Sequence, residues 1–214
     1  MFQRDYVLRM IEMMGEFMRR VKDLMDEHSQ LRLLDRACHQ NCGLPLDTLE
    51  ALSAESLCQL LAPTPCFVAS ELLYCRATNF TMPAEAADER LLKSLRLLAS
   101  LKEEGPLCEL RAPRLREMKA RLLPMLTAED LMLCAEFFAQ AEAYADMEDA
   151  LFQAVDIARV EELPGDIAVG EALLQKAAKA SEQALALAFT SGRELREAAR
   201  ELAARADIMK QTKG

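Results

Sequence analysis

Apolar residues recur along this chain at the three- and four-residue steps of amphipathic helices. The longest such pattern covers residues 2–27, where one face carries Val7, Met10, Met14, Phe17, Val21 and Leu24. No segment of strand length combines β-branched residues with a period of two. The spacing therefore predicts an all-α protein.

Helix-breaking residues divide this pattern into regions. Gly43 and Pro45 end one predicted helix and precede two short ones. The clearest break is Ala-Pro-Thr-Pro at 62–65, because two closely spaced prolines interrupt a helix most strongly. We predict an N-terminal region over 1–62 and a region of helical hairpins over 63–214, together forming one compact unit.

Three pairs of helices are predicted in the second region. The first pair covers 66–104, and the second covers 127–156. The third pair joins a helix from Asp166 through Leu187 to a helix from Arg193 to Lys210. This last pair is rich in alanine, so its helices are expected to approach closely.

The segment 127–156 has the most informative pattern. Thr127 and Asp130 are typical of a helix start, because a threonine oxygen accepts a hydrogen bond from a first-turn amide and acids suit the positive end of the helix dipole. The packing positions then follow in a set order of large, small, aromatic and turn residues: Leu131, Cys134, Ala135, Phe138, Tyr144, Leu151 and Ala154.

This order resembles a tetratricopeptide repeat, in degenerate form. The family usually has glycine where this chain has Glu142, alanine where it has Met147, and a proline earlier than Pro164. The resemblance implies stacked antiparallel hairpins in a right-handed superhelix that holds peptides in a groove. The alternative is an ordinary helical hairpin in an irregular bundle.

A second resemblance rests on QRDYVLRMIEMMGEF at 3–17 and LCAEFFAQAEAYADMEDALFQA at 133–154. Both segments are similar to an uncharacterised family of small, bacterial, all-helical proteins of unknown function. That resemblance implies a repeat-like helical fold. It brings no activity and no catalytic residue.

Composition narrows the class of protein. The formal net charge is −9, which disfavours nucleic acid and anionic membranes as partners. No apolar stretch approaches the roughly 18 residues that span a bilayer, and the opening residues lack the pattern of a signal peptide. We therefore predict a cytoplasmic protein, in which the seven cysteines are buried thiols and not a disulfide framework.

The metal-like cluster in the sequence is Cys38, His39 and Cys42. Zinc would require a fourth ligand, and adjacent Cys38 and His39 differ by roughly 100° in direction on a helix. We interpret the cluster as a chance grouping near a helix end. No metal and no cofactor are predicted.

Signatures of catalysis are missing from the sequence. The chain has two histidines, His28 and His39, and neither lies near a nucleophile motif. No phosphate-binding loop, dinucleotide fingerprint or zinc-protease motif occurs. We assign no catalytic residue and leave open whether the protein is an enzyme.

Charge is unevenly distributed. Residues 111–121 carry five bases against one acid, and residues 142–166 carry eight acids against one base. We predict a partner groove involving Arg114, Arg121, Glu148 and Asp149. Alternatively, the two segments pair with one another or stay solvated.

The sequence therefore favours a non-catalytic scaffold that binds a protein or peptide. Its alternative is a small-ligand-binding or catalytic protein with a pocket between hairpins. A third reading, a DNA-binding regulator, is disfavoured by the charge. The apolar stripe of 2–27 has a heptad rhythm, so it predicts either a core-packing helix or the seam of a homodimer.

Overall fold

The structure is a computed structural model that describes residues 3–159, 161, 163–188 and 190–213. Within these ranges it contains helices and no strand, so the predicted all-α fold is confirmed. The helices are α1 (Arg4–Asp23), α2 (Glu27–Cys42), α3 (Leu46–Ala51), α4 (Ala54–Leu60), α5 (Pro63–Asn79), α6 (Ala84–Ala99), α7 (Gly105–Leu122), α8 (Ala128–Gln140), α9 (Tyr144–Ile157), α10 (Leu163–Ala177), α11 (Glu182–Leu187) and α12 (Gly192–Lys213). None of the described helices is long and apolar enough to span a membrane.

The chain divides into two compact units. Unit 1 comprises Met1–Leu101 and Ala120–Leu122, and unit 2 comprises Lys102–Lys119 and Leu123–Gly214. The break at 62–65 lies inside unit 1, where Ala62 is the N-cap of α5 and Pro63 is its first residue. A proline fits that position because the first amides of a helix have no intrahelical partner.

Unit 1 is built around the pair α5 and α6, and α1 and α2 both pack against α5. Small residues let the central pair approach closely. The Ser70 hydroxyl donates to the Ser94 carbonyl oxygen at 2.9 Å, and the Ser94 hydroxyl donates to the Ser70 carbonyl oxygen at 2.8 Å. This reciprocal contact satisfies two buried hydroxyl groups inside an apolar core.

The apolar stripe of α1 packs inside unit 1. Val7 and Val21 are fully buried, and Met10 and Met14 are nearly so. The side chains of Tyr6, Leu8 and Met13 remain exposed, as do other parts of the helix surface. The homodimer stays a prediction, and it would have to use such exposed side chains because the stripe is already covered.

Unit 2 contains the hairpin of α8 and α9, and α10 packs against both α9 and α12. The close approach expected of the alanine-rich pair is present. A methyl group at Gly192 would lie 2.6 Å from the carbonyl oxygen of Ala178, so glycine is required at this contact. Leu174, Leu195 and Leu202 are fully buried.

Two predicted helix boundaries are wrong. The sequence predicts a short helix bracketed by Pro113 and Pro124, but Pro113 lies inside α7. Its side chain is exposed while neighbouring Ala112 and Leu115 are buried, so packing outweighs the loss of one intrahelical bond. The helix predicted from Asp166 through Leu187 is interrupted after Ala177, and Ser181 caps α11 as a separate helix.

Candidate functional site

The turn between α8 and α9 organises the candidate site. Helix α8 begins with a capping box, in which the Asp130 amide donates to Thr127 Oγ1 at 3.2 Å and the Thr127 amide donates to Asp130 Oδ2 at 3.1 Å. The predicted start at Thr127 is confirmed. Phe137 and Phe138 of the same helix are fully buried and meet edge to face.

Helix α8 ends in a Schellman motif. The Ala143 amide donates to the Phe138 carbonyl oxygen at 3.0 Å, and the Glu142 amide donates to the Ala139 carbonyl oxygen at 3.3 Å. This pattern requires a left-handed residue between the helix and the outgoing chain. Glu142 takes that conformation with φ of 56°, and among the described residues it is the only non-glycine with positive φ.

Elsewhere in the chain the same conformation is taken by a glycine. Gly43 follows α2 with φ of 69°, and its amide donates to the His39 carbonyl oxygen at 3.2 Å. A side chain in the left-handed region costs roughly 1–2 kcal/mol, whereas glycine adopts it freely. Glu142 therefore carries backbone strain that glycine would relieve, and the tetratricopeptide pattern has glycine at this position.

A groove of about 630 Å³ surrounds this turn, and we call it the turn groove. Its lining comes from α7, from the α8–α9 turn and from α11: Gly105, Glu109, Arg116, Gln140, Ala141, Glu142, Ala143, Tyr144, Ala145, Asp146, Ala184, Leu187 and Ala188. The lining includes one glycine and several alanines. Leu187 is large and 75% exposed. The groove therefore offers an apolar surface that is open to solvent.

Acidic groups dominate the charge of the turn groove. It is lined by three carboxylates, Glu109, Glu142 and Asp146, and by one guanidinium, Arg116. Arg116 donates to both carboxylate oxygens of Asp146, at 2.7 and 2.5 Å, so that pair is internally neutralised. Burial first, and then the charge of Glu142, raise the pKa of Tyr144, so its phenol stays a neutral hydrogen-bonding group.

A second groove of about 410 Å³ adjoins the first, and we call it the lysine groove. The two grooves share Gln140, Glu142 and Tyr144. The lysine groove is also lined by Lys102, Lys176 and Lys179, of which the last two are exposed, and by Glu103 and Glu136, of which Glu136 pairs with Lys102. Glu142 thus lies where an acidic groove meets a groove with basic groups.

The predicted charged residues lie at different places. Arg114 is half-buried on α7, and Arg121 lies in unit 1, where its Nε donates to Asp88 Oδ1 at 2.8 Å. Burial raises the pKa of Glu148, and the carboxylates of Glu201, Glu194 and Asp149 raise it further. None of the four predicted residues lines the turn groove.

The basic and acidic segments do meet, through residues next to those predicted. Lys119 is almost fully buried, and its Nζ donates to Asp149 Oδ2 at 2.5 Å and to Gln153 Oε1 at 2.9 Å. Arg116 and Asp146 form a second ion pair between α7 and α9, in which Arg116 is exposed. Opposite charges on α7 and α9 therefore pair with one another, which corresponds to the alternative that the sequence left open.

Cys38, His39 and Cys42 do not converge. Cys38 and Cys42 are buried, whereas His39 is exposed with its Nε2 3.9 Å from Asp35 Oδ2. Burial raises the pKa of Cys42 to about 11 and also raises that of Cys38. The described residues contain no group of three possible metal ligands.

Sequence reasoning missed most of the groove. Gly105, Ala184 and Leu187 are far apart in the chain and carry no motif, so only the fold brings them together. One signal was available in Glu142, because the tetratricopeptide pattern has glycine at this position.

Comparison with known proteins adds no relative. Neither the protein-family models, nor the curated proteins, nor the solved structures contain a match to this chain.

Proposed function

We propose that this chain is a non-catalytic binding protein whose unit 2 holds a segment of another protein in the turn groove. The observation that carries this proposal is the strained, exposed Glu142 at the junction of the two grooves. The proposal extends the tetratricopeptide resemblance of 127–156, since that family binds peptides between helical hairpins.

Backbone strain at Glu142 supports a role in binding. The Schellman motif is complete without its carboxylate, because both hydrogen bonds of the motif use backbone atoms. Glycine at this position would preserve the motif and remove the strain. Strained residues persist where another property of the residue is needed, and here the remaining property is an exposed negative charge beside an apolar surface.

The lining of the groove defines its occupant. Leu187 and the adjacent alanines suit an apolar side chain, and burying the exposed leucine surface would stabilise the complex. The excess of carboxylates suits a lysine or arginine beside that apolar residue. We therefore expect a protein segment in which an apolar side chain lies next to a basic one.

Selection from a random peptide library displayed on phage tests this expectation with the full chain as bait. Enriched peptides should pair an apolar residue with Lys or Arg, and they should bind less tightly at higher salt. Glu142→Gln keeps the side-chain size but removes the charge, so we expect the dissociation constant to rise about tenfold, roughly 1.4 kcal/mol. Isothermal titration calorimetry measures this change.

Two further variants separate binding from stability. Glu142→Gly should weaken peptide binding similarly, yet stabilise the fold by about 0.5–1 kcal/mol because it relieves the left-handed strain. Glu129→Gln is the matched control, since Glu129 is an exposed acid of α8 that lines neither groove. An unenriched library, or equal affinities for wild type and Glu142→Gln, would contradict the proposal.

A further inference from the structure

Unit 1 contains a cluster of two thiols and a hydroxyl that the binding proposal does not use. Cys58 of α4 donates from its Sγ to Ser100 Oγ at 3.2 Å, and Cys66 Sγ lies 3.8 Å from the same oxygen. Ser100 in turn donates to the Leu97 carbonyl oxygen at 2.8 Å. One hydroxyl therefore joins two cysteines from successive helices.

The two thiols differ in access to solvent. Cys66 is buried, with 2% of its surface exposed, whereas Cys58 is half-buried. The residues after Cys58 are exposed, and Leu60 has 60% of its surface exposed. Cys58 is therefore more open to a small oxidant than Cys66.

We propose that Cys58 and Cys66 form a reversibly oxidisable thiol pair, in which peroxide attacks Cys58 and Cys66 resolves the product as a disulfide. The geometry that supports this site is the shared contact of both sulfurs with Ser100. The remaining cysteines are all buried, so Cys58 is the thiol most open to modification.

The electrostatics of the pair favour the same order of events. Interaction with the neighbouring Cys66 thiol, and then with the Ser100 hydroxyl, lowers the pKa of Cys58 below its ordinary value. Interaction with Cys58 and burial raise the pKa of Cys66. The thiolate is the reactive form of cysteine, so the accessible sulfur is also the activated one.

The chemistry balances with hydrogen peroxide as oxidant. The Cys58 thiolate attacks one peroxide oxygen, the O–O bond breaks, and hydroxide leaves and takes up a proton to become water. The Cys66 thiol then gives up its proton and attacks the sulfenic sulfur, so that an S–S bond forms, the S–O bond breaks, and the departing hydroxide takes up that proton and leaves as a second water. The end of the short α4 must shift towards α5, because a disulfide requires the sulfurs to approach to about 2.05 Å.

The sequence allows a direct mass measurement. A protease that cleaves after glutamate releases residues 56–71, which contain Cys58 and Cys66 and no other cysteine. It also releases residues 28–50, which contain Cys38 and Cys42 and serve as an internal control. After peroxide treatment of the folded chain, we expect the first peptide to lose two hydrogen atoms in mass and a reductant to restore them. The second peptide should not change.

Two additional readouts make the outcome decisive. In the reduced protein at neutral pH, iodoacetamide should modify Cys58 at least about tenfold faster than Cys42, whose pKa burial raises. Cys66→Ser should leave Cys58 as a sulfenic acid that dimedone traps, and Cys42→Ser should leave disulfide formation unchanged. Equal alkylation rates, loss of hydrogen in both peptides, or overoxidation of Cys58 with Cys66 still free would overturn the proposal.

Discussion

Truncation of Phe138 to alanine is expected to lower the free energy of unfolding by about 3–5 kcal/mol, because it removes a buried aromatic ring and leaves a cavity. Phe138 is fully buried, and its ring lies 6.5 Å from that of Phe137 at an interplanar angle of 87°. Its backbone carbonyl also accepts the hydrogen bond that closes the turn. Urea denaturation followed by circular dichroism measures the change.

Phe152→Ala provides the matched control for this prediction. Phe152 lies on α9 of the same hairpin, is half-buried, and contacts the guanidinium of Arg205 at 5.7 Å from its ring centre. Removal of a half-buried ring deletes less buried apolar surface, so the free energy of unfolding should fall clearly less than in Phe138→Ala. Equal losses for the two variants would contradict the placement of Phe138 in the core of the hairpin.

The second large effect is on the free energy of unfolding when the ion pair of Lys119 and Asp149 is broken. Its size depends on which of the two partners is replaced. Asp149→Ala leaves the Lys119 ammonium, 6% exposed, with the Gln153 side-chain oxygen as its acceptor, and we expect destabilisation of about 2 kcal/mol. Lys119→Met removes the same ion pair but leaves the charge on Asp149, which is 59% exposed and stays hydrated. Its effect should remain within about 1 kcal/mol.

Chemical denaturation of both single variants and of the double variant measures this asymmetry. The double variant should have about the same free energy of unfolding as Lys119→Met, because neither variant retains an unpaired buried charge. The buried ammonium is the physical reason for the difference. Equal losses for the two single variants would therefore contradict the buried position of Lys119.

Local features of the fold were predictable from the sequence. The cap at Thr127 depends on residues three positions apart, and the stop at Gly43 depends on one glycine, so short-range chemistry determines both. Of the two wrong boundaries, one has a tertiary cause, because packing of Ala112 and Leu115 retains Pro113 inside α7. At the other, α10 ends at Ala177 and the Ser181 side chain caps α11 through a local hydrogen bond.

The candidate site was less predictable because it depends on contacts between distant residues. Charge counts showed that a basic and an acidic segment exist, but they did not show that Lys119 pairs with Asp149. Leu187 looked like one more apolar residue of a helix until the fold placed it, exposed, beside the turn. Glu142 is the exception, since its departure from glycine was visible in the sequence and its meaning came from its backbone conformation.

The most direct test of the account is a map of where a selected peptide binds. A photoreactive p-benzoylphenylalanine replaces Leu187 in one variant and Leu60 in another, since both leucines are exposed and lie in different units. If the peptide lies in the turn groove, it should cross-link to the variant at position 187 and not to the variant at position 60. Cross-linking at position 60 alone, or equally at both positions, would contradict binding in the turn groove.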